Sequence, residues 1–292
     1  MNISPEQADV DQRTIERQMR EVTLKDQSKL KVMDSGWGEP IIFLPMAPEL
    51  NFVYARQLEE FKPDHRVILY EPRLSRTSYF GVADRAHEVV ALMDAIGLER
   101  AHIVAWSDAG AGAYYLAKNF PDRCQSVVFL GLADQYRFPQ PLQFLTKVLG
   151  ALPIEKTVPA WLFARILARY LGGPRLKPEW VAQRAAQVPQ LPRLFKHSVL
   201  PQLIEHQPKA GEVKDVPCLQ ISGDSDVLVS VEQAQRMAKL VSSSREAVII
   251  PEGEHFLGYV NYEPVNHAMR EFYSSLYRER EVARSYSFRL TI

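Results

Sequence analysis

"HIVAWSDAGAGAYYLAKNFP", residues 102–121, begins as an apolar run and becomes, at Ser107 and Asp108, a helix of small residues. The opening run is too short and too apolar for a surface helix and reads as a buried strand. A strand that passes straight into a helix has to turn sharply, and the positions two before and two after the pivot then accept only small side chains. With Ser107 as the pivot those positions are Ala105 and Ala109, and "AGAGA" (109–113) lets the helix pack closely. With Asp108 as the pivot the earlier position would be Trp106, so sterics select Ser107. Such a turn pushes the hydroxyl out at the sheet edge, where the helix amino terminus favours a developing oxyanion. The competing reading is that Ser107 only caps the helix. Partner residues elsewhere in the chain decide between the two.

Outward from this stretch, short β-rich runs alternate with helical ones. "REVTL" and "LKVMDSG" read as an opening hairpin pair, followed by "PIIFLPM", "RVILYEP", "AHIVAWS", "CQSVVFLGL", "PCLQISGD" and "EAVIIPEG". That gives about eight strands, with "ADRAHEVVALMDAIGL" and "VEQAQRMAKLV" among the intervening helices, the pattern of a mostly parallel sheet covered on both faces. The alternation breaks between Gln135 and about Ala210, where no strand-like run occurs and ten of the 20 prolines fall among helical pieces. Prolines at that density predict several short helices. The expected organisation is a core α/β domain over 1–134 and 211–292, with a polar extension over 1–20 and a helical lid over 135–210. Trp161, Leu162, Phe163, Ile166, Leu167, Tyr170 and Leu171 are as a group expected to roof an apolar pocket.

Composition restricts the partners. Lysine plus arginine equals aspartate plus glutamate at 35 each over 292 residues, so no global field draws the chain to nucleic acid or an anionic membrane. The polar start "MNISPEQADVDQRTIERQMR" lacks a signal-peptide core, and no segment offers about 18 uninterrupted apolar residues. A cytoplasmic protein acting on a small molecule is expected, with Cys124 and Cys218 as reduced, packed thiols. The polar leader and the tail "EVARSYSFRLTI" could support a homodimer or nothing.

A serine hydroxyl is a poor nucleophile without a base and an orienting acid. "LQISGDSDVLVSVEQAQRMAKL" reads as strand, loop and helix, with Asp224 and Asp226 at the strand's carboxyl end. "VIIPEGEHFLGYVNYEPVNHAMREFY" repeats the arrangement, with His255 just after the last strand and a helix beginning near Glu263. Of the seven histidines only His255 sits so: His102 lies inside a strand, His87 and His267 on helices, and His65, His197 and His206 away from strand ends.

Strand, turn and helix around small-x-Ser-x-small, followed in chain order by an aspartate and a histidine, resembles the α/β-hydrolase fold with a helical cap. The resemblance runs from about Lys31 to Tyr277 and is most specific in "GEHFLGYVNYEPVNHAMREFY" and "SGDSDVLVSVEQAQRMA". It implies Ser107 as nucleophile, His255 as base and Asp226 as the orienting acid, with Gly223 opening the acid loop and Asp224 as the alternative acid. Two departures stand out. Many relatives carry His-Gly after the third strand, but this chain has "FLPMAPEL", in which Pro45 and Pro48 have no N–H. The oxyanion hole then falls to the backbone of Met46 or Ala47, Ala47 being favoured by the family's register, with the Asp108 amide as second donor. "YEPRLSRTS" has Glu71 and Leu74 where relatives often show aspartate and glycine. The Asp108 side chain could repel an anion, contact a substrate hydroxyl or amine, or simply be a first-turn acid stabilised by the helix dipole.

The expected activity is cleavage of an ester, thioester, lactone or amide of a small, mainly apolar substrate through an acyl-enzyme. No metal or organic cofactor is implied. The rivals are a lyase or carbon–carbon bond hydrolase using the same Ser/His pair for proton transfer, and a non-catalytic small-molecule-binding relative.

Overall fold

The fold is described from a computed structural model. It covers residues 4–44, 48–73, 81–135, 154–171, 173, 175–186, 188, 191–242 and 245–289. Eight strands form one sheet: β1 (Arg20–Thr23), β2 (Lys29–Gly36), β3 (Glu39–Leu44), β4 (His65–Tyr70), β5 (Ala101–Trp106), β6 (Cys124–Leu130), β7 (Cys218–Gly223) and β8 (Val248–Ile250). Their spatial order is β1-β2-β4-β3-β5-β6-β7-β8. The β1–β2 and β2–β4 pairs are antiparallel, and every pair from β3 to β8 is parallel. β5 and β7 are buried along their whole length, which is why they read as unbroken apolar runs with no alternation. The eight runs picked out in the sequence are the eight strands of the sheet.

Helices cover both faces. Among the described residues they are α1 (Pro5–Gln18), α2 (Ala55–Phe61), α3 (Val82–Ala95), α4 (Ala109–Asn119), α5 (Ile154–Thr157), α6 (Ala160–Leu171), α7 (Pro178–Ala185), α8 (Leu191–Leu194), α9 (Leu200–Glu205), α10 (Val231–Val241), α11 (Leu257–Val260) and α12 (Tyr262–Arg289). One face of the sheet packs on α3, α4 and α10 through residues such as Ala86, Val89, Ala113, Leu116 and Met237. The other packs on α1, α2, α11 and α12 through Ala8, Leu58, Leu257, Met269 and Phe272. Burial at this scale, at roughly 25 cal/mol per Å² of apolar surface, is the main stabilising contribution.

α5 to α9 interrupt the alternation between β6 and β7 as several short helices, as the proline density predicts. Trp161, Leu162 and Ile166 are exposed, which corrects the expectation that they roof a pocket. Phe163 and Ala164 instead turn inward onto Ala185, Val188 and Leu191 in a small cluster of their own. Ala168, Leu176, Trp180, Val181 and Leu194 join the main core, with Leu171 packed against it, and Trp180 meets Phe52 edge-on at 5.7 Å between ring centroids. The side chains of Leu167 and Tyr170 lie outside the described residues.

The polar leader proves to be a docked helix. Ser4 caps α1 by accepting from the Gln7 N–H, Pro5 occupies the first turn, and Ala8 and Ile15 are buried in the core. His65, expected away from strand ends, opens β4. Cys124 and Cys218 are buried and unbridged. Burial pushes the Cys124 thiol up to about 12. None of the described helices is long and apolar enough to cross a membrane.

Candidate active site at the strand ends

β5 ends at Trp106 and α4 begins at Ala109, so the chain reverses over Ser107 and Asp108. Ser107 has φ +56°, a left-handed conformation that costs a non-glycine residue about 1–3 kcal/mol and persists only where its surroundings hold it. Its N–H donates to the Leu130 carbonyl at 2.9 Å and its own carbonyl accepts from the Gly110 N–H at 2.9 Å, so both backbone groups are fastened. The hydroxyl is what remains to point outward. Ser107 therefore occupies an elbow, although its residue is 8% exposed and the site lies beneath other structure.

His255 follows β8 by a short loop and brings its Nε2 to 2.9 Å from Ser107 Oγ. Its Nδ1 lies 2.9 Å from Asp226 Oδ2. A carboxylate can only accept, so the proton sits on Nδ1 and leaves the Nε2 lone pair facing the serine hydroxyl. The other Asp226 oxygen accepts from the N–H groups of Leu228 at 2.8 Å and Val229 at 3.1 Å, which locks the carboxyl plane. Asp224 is exposed, its Oδ1 accepting from the neighbouring Ser225 hydroxyl at 3.0 Å. The histidine is thus paired with Asp226 and not with Asp224.

Glycine makes this meeting sterically feasible at two places. A Cβ on Gly223 would lie 1.9 Å from the Gly253 carbonyl oxygen, so the acid loop and the histidine loop approach as only bare backbone permits. Gly131, just past β6, takes φ +63° directly behind the Asp226–His255 contact.

Other residues, not singled out in the sequence, tie the elbow to its partners. Trp106 donates from Nε1 to the His255 carbonyl at 2.7 Å, and its backbone N–H donates to the Tyr54 hydroxyl at 2.8 Å. That hydroxyl in turn donates to the Leu44 carbonyl at 2.7 Å, the last residue of β3. Burial pushes the Tyr54 phenol far above its usual range, so it stays protonated and serves as both donor and acceptor. An aromatic residue between the "LPMAPEL" loop and a helix carries no pattern that would reveal this role.

Asp108 is buried, and neither carboxylate oxygen meets hydrogen-bond geometry with a partner. It caps nothing with its side chain at the start of α4. Burial raises its carboxyl to about 6, against the pull of the Arg85 guanidinium, the nearby backbone N–H groups and His255. Beneath it, buried Arg85 donates to Ser198 Oγ at 3.3 Å and faces Glu88 at 3.5 Å. Ala47 and Met46, the residues expected to supply the oxyanion donor from the loop after β3, lie outside the described residues, as does Leu74. Among the described residues no group of His, Cys, Asp and Glu side chains is arranged to hold a metal ion.

Residues 61–262, more than half of the chain, match the alpha/beta hydrolase fold family. The chain belongs to this family. Over 267 residues the α/β hydrolase is 25% identical to the 2-hydroxy-6-oxo-6-phenylhexa-2,4-dienoate hydrolase of Burkholderia cepacia, an alignment covering 84% of this chain and 91% of that one. Other curated relatives match over shorter segments, with the chain spanning 30% to 40% of their length. A thermophilic esterase from Thermogutta terrifontis superposes with a TM-score of 0.73 at 19% identity, covering 89% of this chain and 99% of that one. The meta-cleavage product hydrolase CumD of Pseudomonas fluorescens IP01 superposes with a TM-score of 0.69 at 18% identity, covering 88% of this chain and 97% of that one. These structures share the fold of the α/β hydrolase described here, and the relatives are hydrolases, as is this chain.

Proposed function

We propose that the protein is a serine hydrolase that cleaves an ester, thioester, lactone or amide of a small, mainly apolar substrate through an acyl-enzyme. The observation that carries this reading is the unbroken hydrogen-bond chain from Ser107 Oγ through His255 to Asp226, built on a left-handed elbow residue. Ser107 Oγ attacks the acyl carbonyl while His255 Nε2 takes its proton. The imidazolium so formed is held by Asp226 and then gives the proton to the leaving group. Water, deprotonated by the same histidine, attacks the acyl-serine, and the proton returns to Ser107 as the acid product leaves. The Asp108 N–H at the start of α4 and the backbone of Ala47 stabilise the oxyanion in this reading. The organisation that goes with it is a core over 1–134 and 211–292 with residues 135–210 as a cap over the site, working in the cytoplasm as a monomer or homodimer.

A second reading has support of its own. The relative aligned over most of its length is named a hydrolase of a 2-hydroxy-6-oxo-dienoate, a ketone rather than an ester, and below about pH 6 the Asp108 carboxyl can donate a hydrogen bond as well as accept one. On that reading Ser107 and His255 move protons during carbon–carbon cleavage.

The test is reaction with a fluorophosphonate probe and turnover of p-nitrophenyl esters by the wild type and Ser107→Ala. Labelling at Ser107, and loss of both labelling and turnover in the variant with the fold intact, supports the acyl-enzyme. Near-normal turnover by Ser107→Ala would remove it in favour of proton transfer by His255.

A further inference from the structure

We infer that the amino-terminal helix α1 is a brace that sets the distance between His255 and the Ser107 elbow, with Asp11 and Gln12 as positioning residues; this rests on the reading of Ser107 and His255 given above. Both residues are buried, on a helix whose sequence is otherwise mostly polar. Asp11 Oδ2 accepts from the Tyr259 hydroxyl at 2.6 Å and from Arg56 Nη2 at 3.0 Å, while Oδ1 accepts from Gln7 Nε2 at 2.8 Å. The next residue carries the second contact: Gln12 Oε1 accepts from the Phe52 backbone N–H at 3.0 Å. α1 therefore grips two segments that are far apart in sequence.

Each of those segments leads to a reacting side chain in a few bonds. Tyr259 lies on α11, the turn that follows His255 and Phe256, and its N–H donates back to the Phe256 carbonyl at 2.8 Å. Phe52 lies two residues before Tyr54, whose hydroxyl joins the end of β3 to the Trp106 N–H, next to Ser107. Phe52 and Tyr259 also meet edge-on at 5.1 Å between centroids, so the two gripped segments touch under the helix. Burial and the bond to Asp11 push the Tyr259 phenol far above its ordinary range, which keeps it protonated and donating. A carboxylate that accepts three hydrogen bonds on a core-docked helix is a rigid fixture. A helix that served only to cover apolar surface would need Ala8 and Ile15, but not a buried carboxylate and a buried amide aimed at these two segments.

The experiment compares Tyr259→Phe, Asp11→Asn and their double variant with the wild type, and uses Met93→Ala, a core truncation on α3, as a control for lost stability. The readouts, taken well below every unfolding midpoint, are kcat and KM on an ester, the rate of fluorophosphonate labelling, and the low-field NMR signal of the His255 Nδ1 proton. The brace predicts that each single variant loses about tenfold in kcat and labelling rate with KM little changed, because small misplacements of reacting groups are costly. The double variant loses no more than Asp11→Asn alone, since the bond that Tyr259→Phe removes is one of those that Asp11 makes. The His255 signal shifts or broadens in all of them, whereas Met93→Ala lowers the unfolding midpoint and changes none of the three readouts. Rates within twofold of wild type and an unmoved His255 signal in Tyr259→Phe and Asp11→Asn would overturn the brace. If the wild type is not labelled at all, the acyl-enzyme reading fails, and the His255 signal alone then decides the brace.

Discussion

Asp108 shows at the scale of one residue what burial does to a carboxyl. Its folded-state value, raised to about 6 from an ordinary 3.8, means that the native protein holds a proton which the unfolded chain has released between those limits. Stability from this group is therefore full below the ordinary value, declines as pH rises through that window, and is lowest above about 6. Asp108→Asn keeps the shape and the backbone donor, so it should raise the unfolding free energy above pH 7 by up to ~3 kcal/mol and by little at pH 4. Thermal unfolding of both forms across that range reads the effect directly. A variant less stable at every pH would mean the carboxylate is favourably held. The acid of the proposed triad is tested alongside: Asp226→Asn should lower kcat by about 10⁴-fold on the acyl-enzyme reading, and Asp224→Asn, whose residue is exposed, by far less. The reverse ranking in steady-state kinetics would move the role to Asp224.

Elements meet at the carboxyl ends of β5, β7 and β8, and the closeness of the last two depends on missing side chains. In Gly223→Ala the new Cβ would fall 1.9 Å from the Gly253 oxygen, so the acid loop must retreat from the histidine loop. We expect kcat/KM to fall at least ~10²-fold, since the Asp226–His255 distance changes with that retreat. Gly97 provides the contrast. It also has positive φ, at +70°, but a Cβ there meets nothing within 4 Å. Gly97→Ala should cost about 1 kcal/mol of stability and leave turnover alone. Comparing ester kinetics and unfolding midpoints for the pair separates backbone strain from displaced loops, and equal activity in both variants would show that the loop contact does not set the Asp226–His255 geometry.

For the whole molecule, the helical segment between β6 and β7 is fastened to the core at a few places around the site. Glu254, the residue before His255, accepts from the Arg175 and Leu176 N–H groups. Phe52 packs on Trp180, and Arg85 reaches Ser198. Buried Glu254 thus couples the position of this segment to the histidine loop. Glu254→Ala leaves two backbone N–H groups without their acceptor, so cleavage by a nonspecific protease within residues 154–210 should become several-fold faster while the core fragments persist. Unchanged cleavage would place the fastening elsewhere.

Local pattern alone marked the strands and the pivot residue of the turn after β5, while the reading of that turn as an elbow also needed the aspartate and histidine further along the chain. Apolar runs bounded by turn residues mark buried parallel strands, and a small-residue rule at Ala105 and Ala109 selects Ser107 over Asp108 whatever the rest of the chain does. The chain order of Ser107, Asp226 and His255 was legible for the same reason, because each follows a strand. Tertiary structure decided what depends on distance through space. It set the pairing of His255 with Asp226 at 2.9 Å, the outward turn of Trp161 and Ile166, and the docking of a polar leader as a buried helix. It also buried the Asp108 carboxyl, and gave Tyr54 and Trp106 their ties to the elbow. Sequence periodicity reports which face of an element is apolar. It cannot report which polar group from another element will meet a buried donor or acceptor, since that is set by how the layers pack.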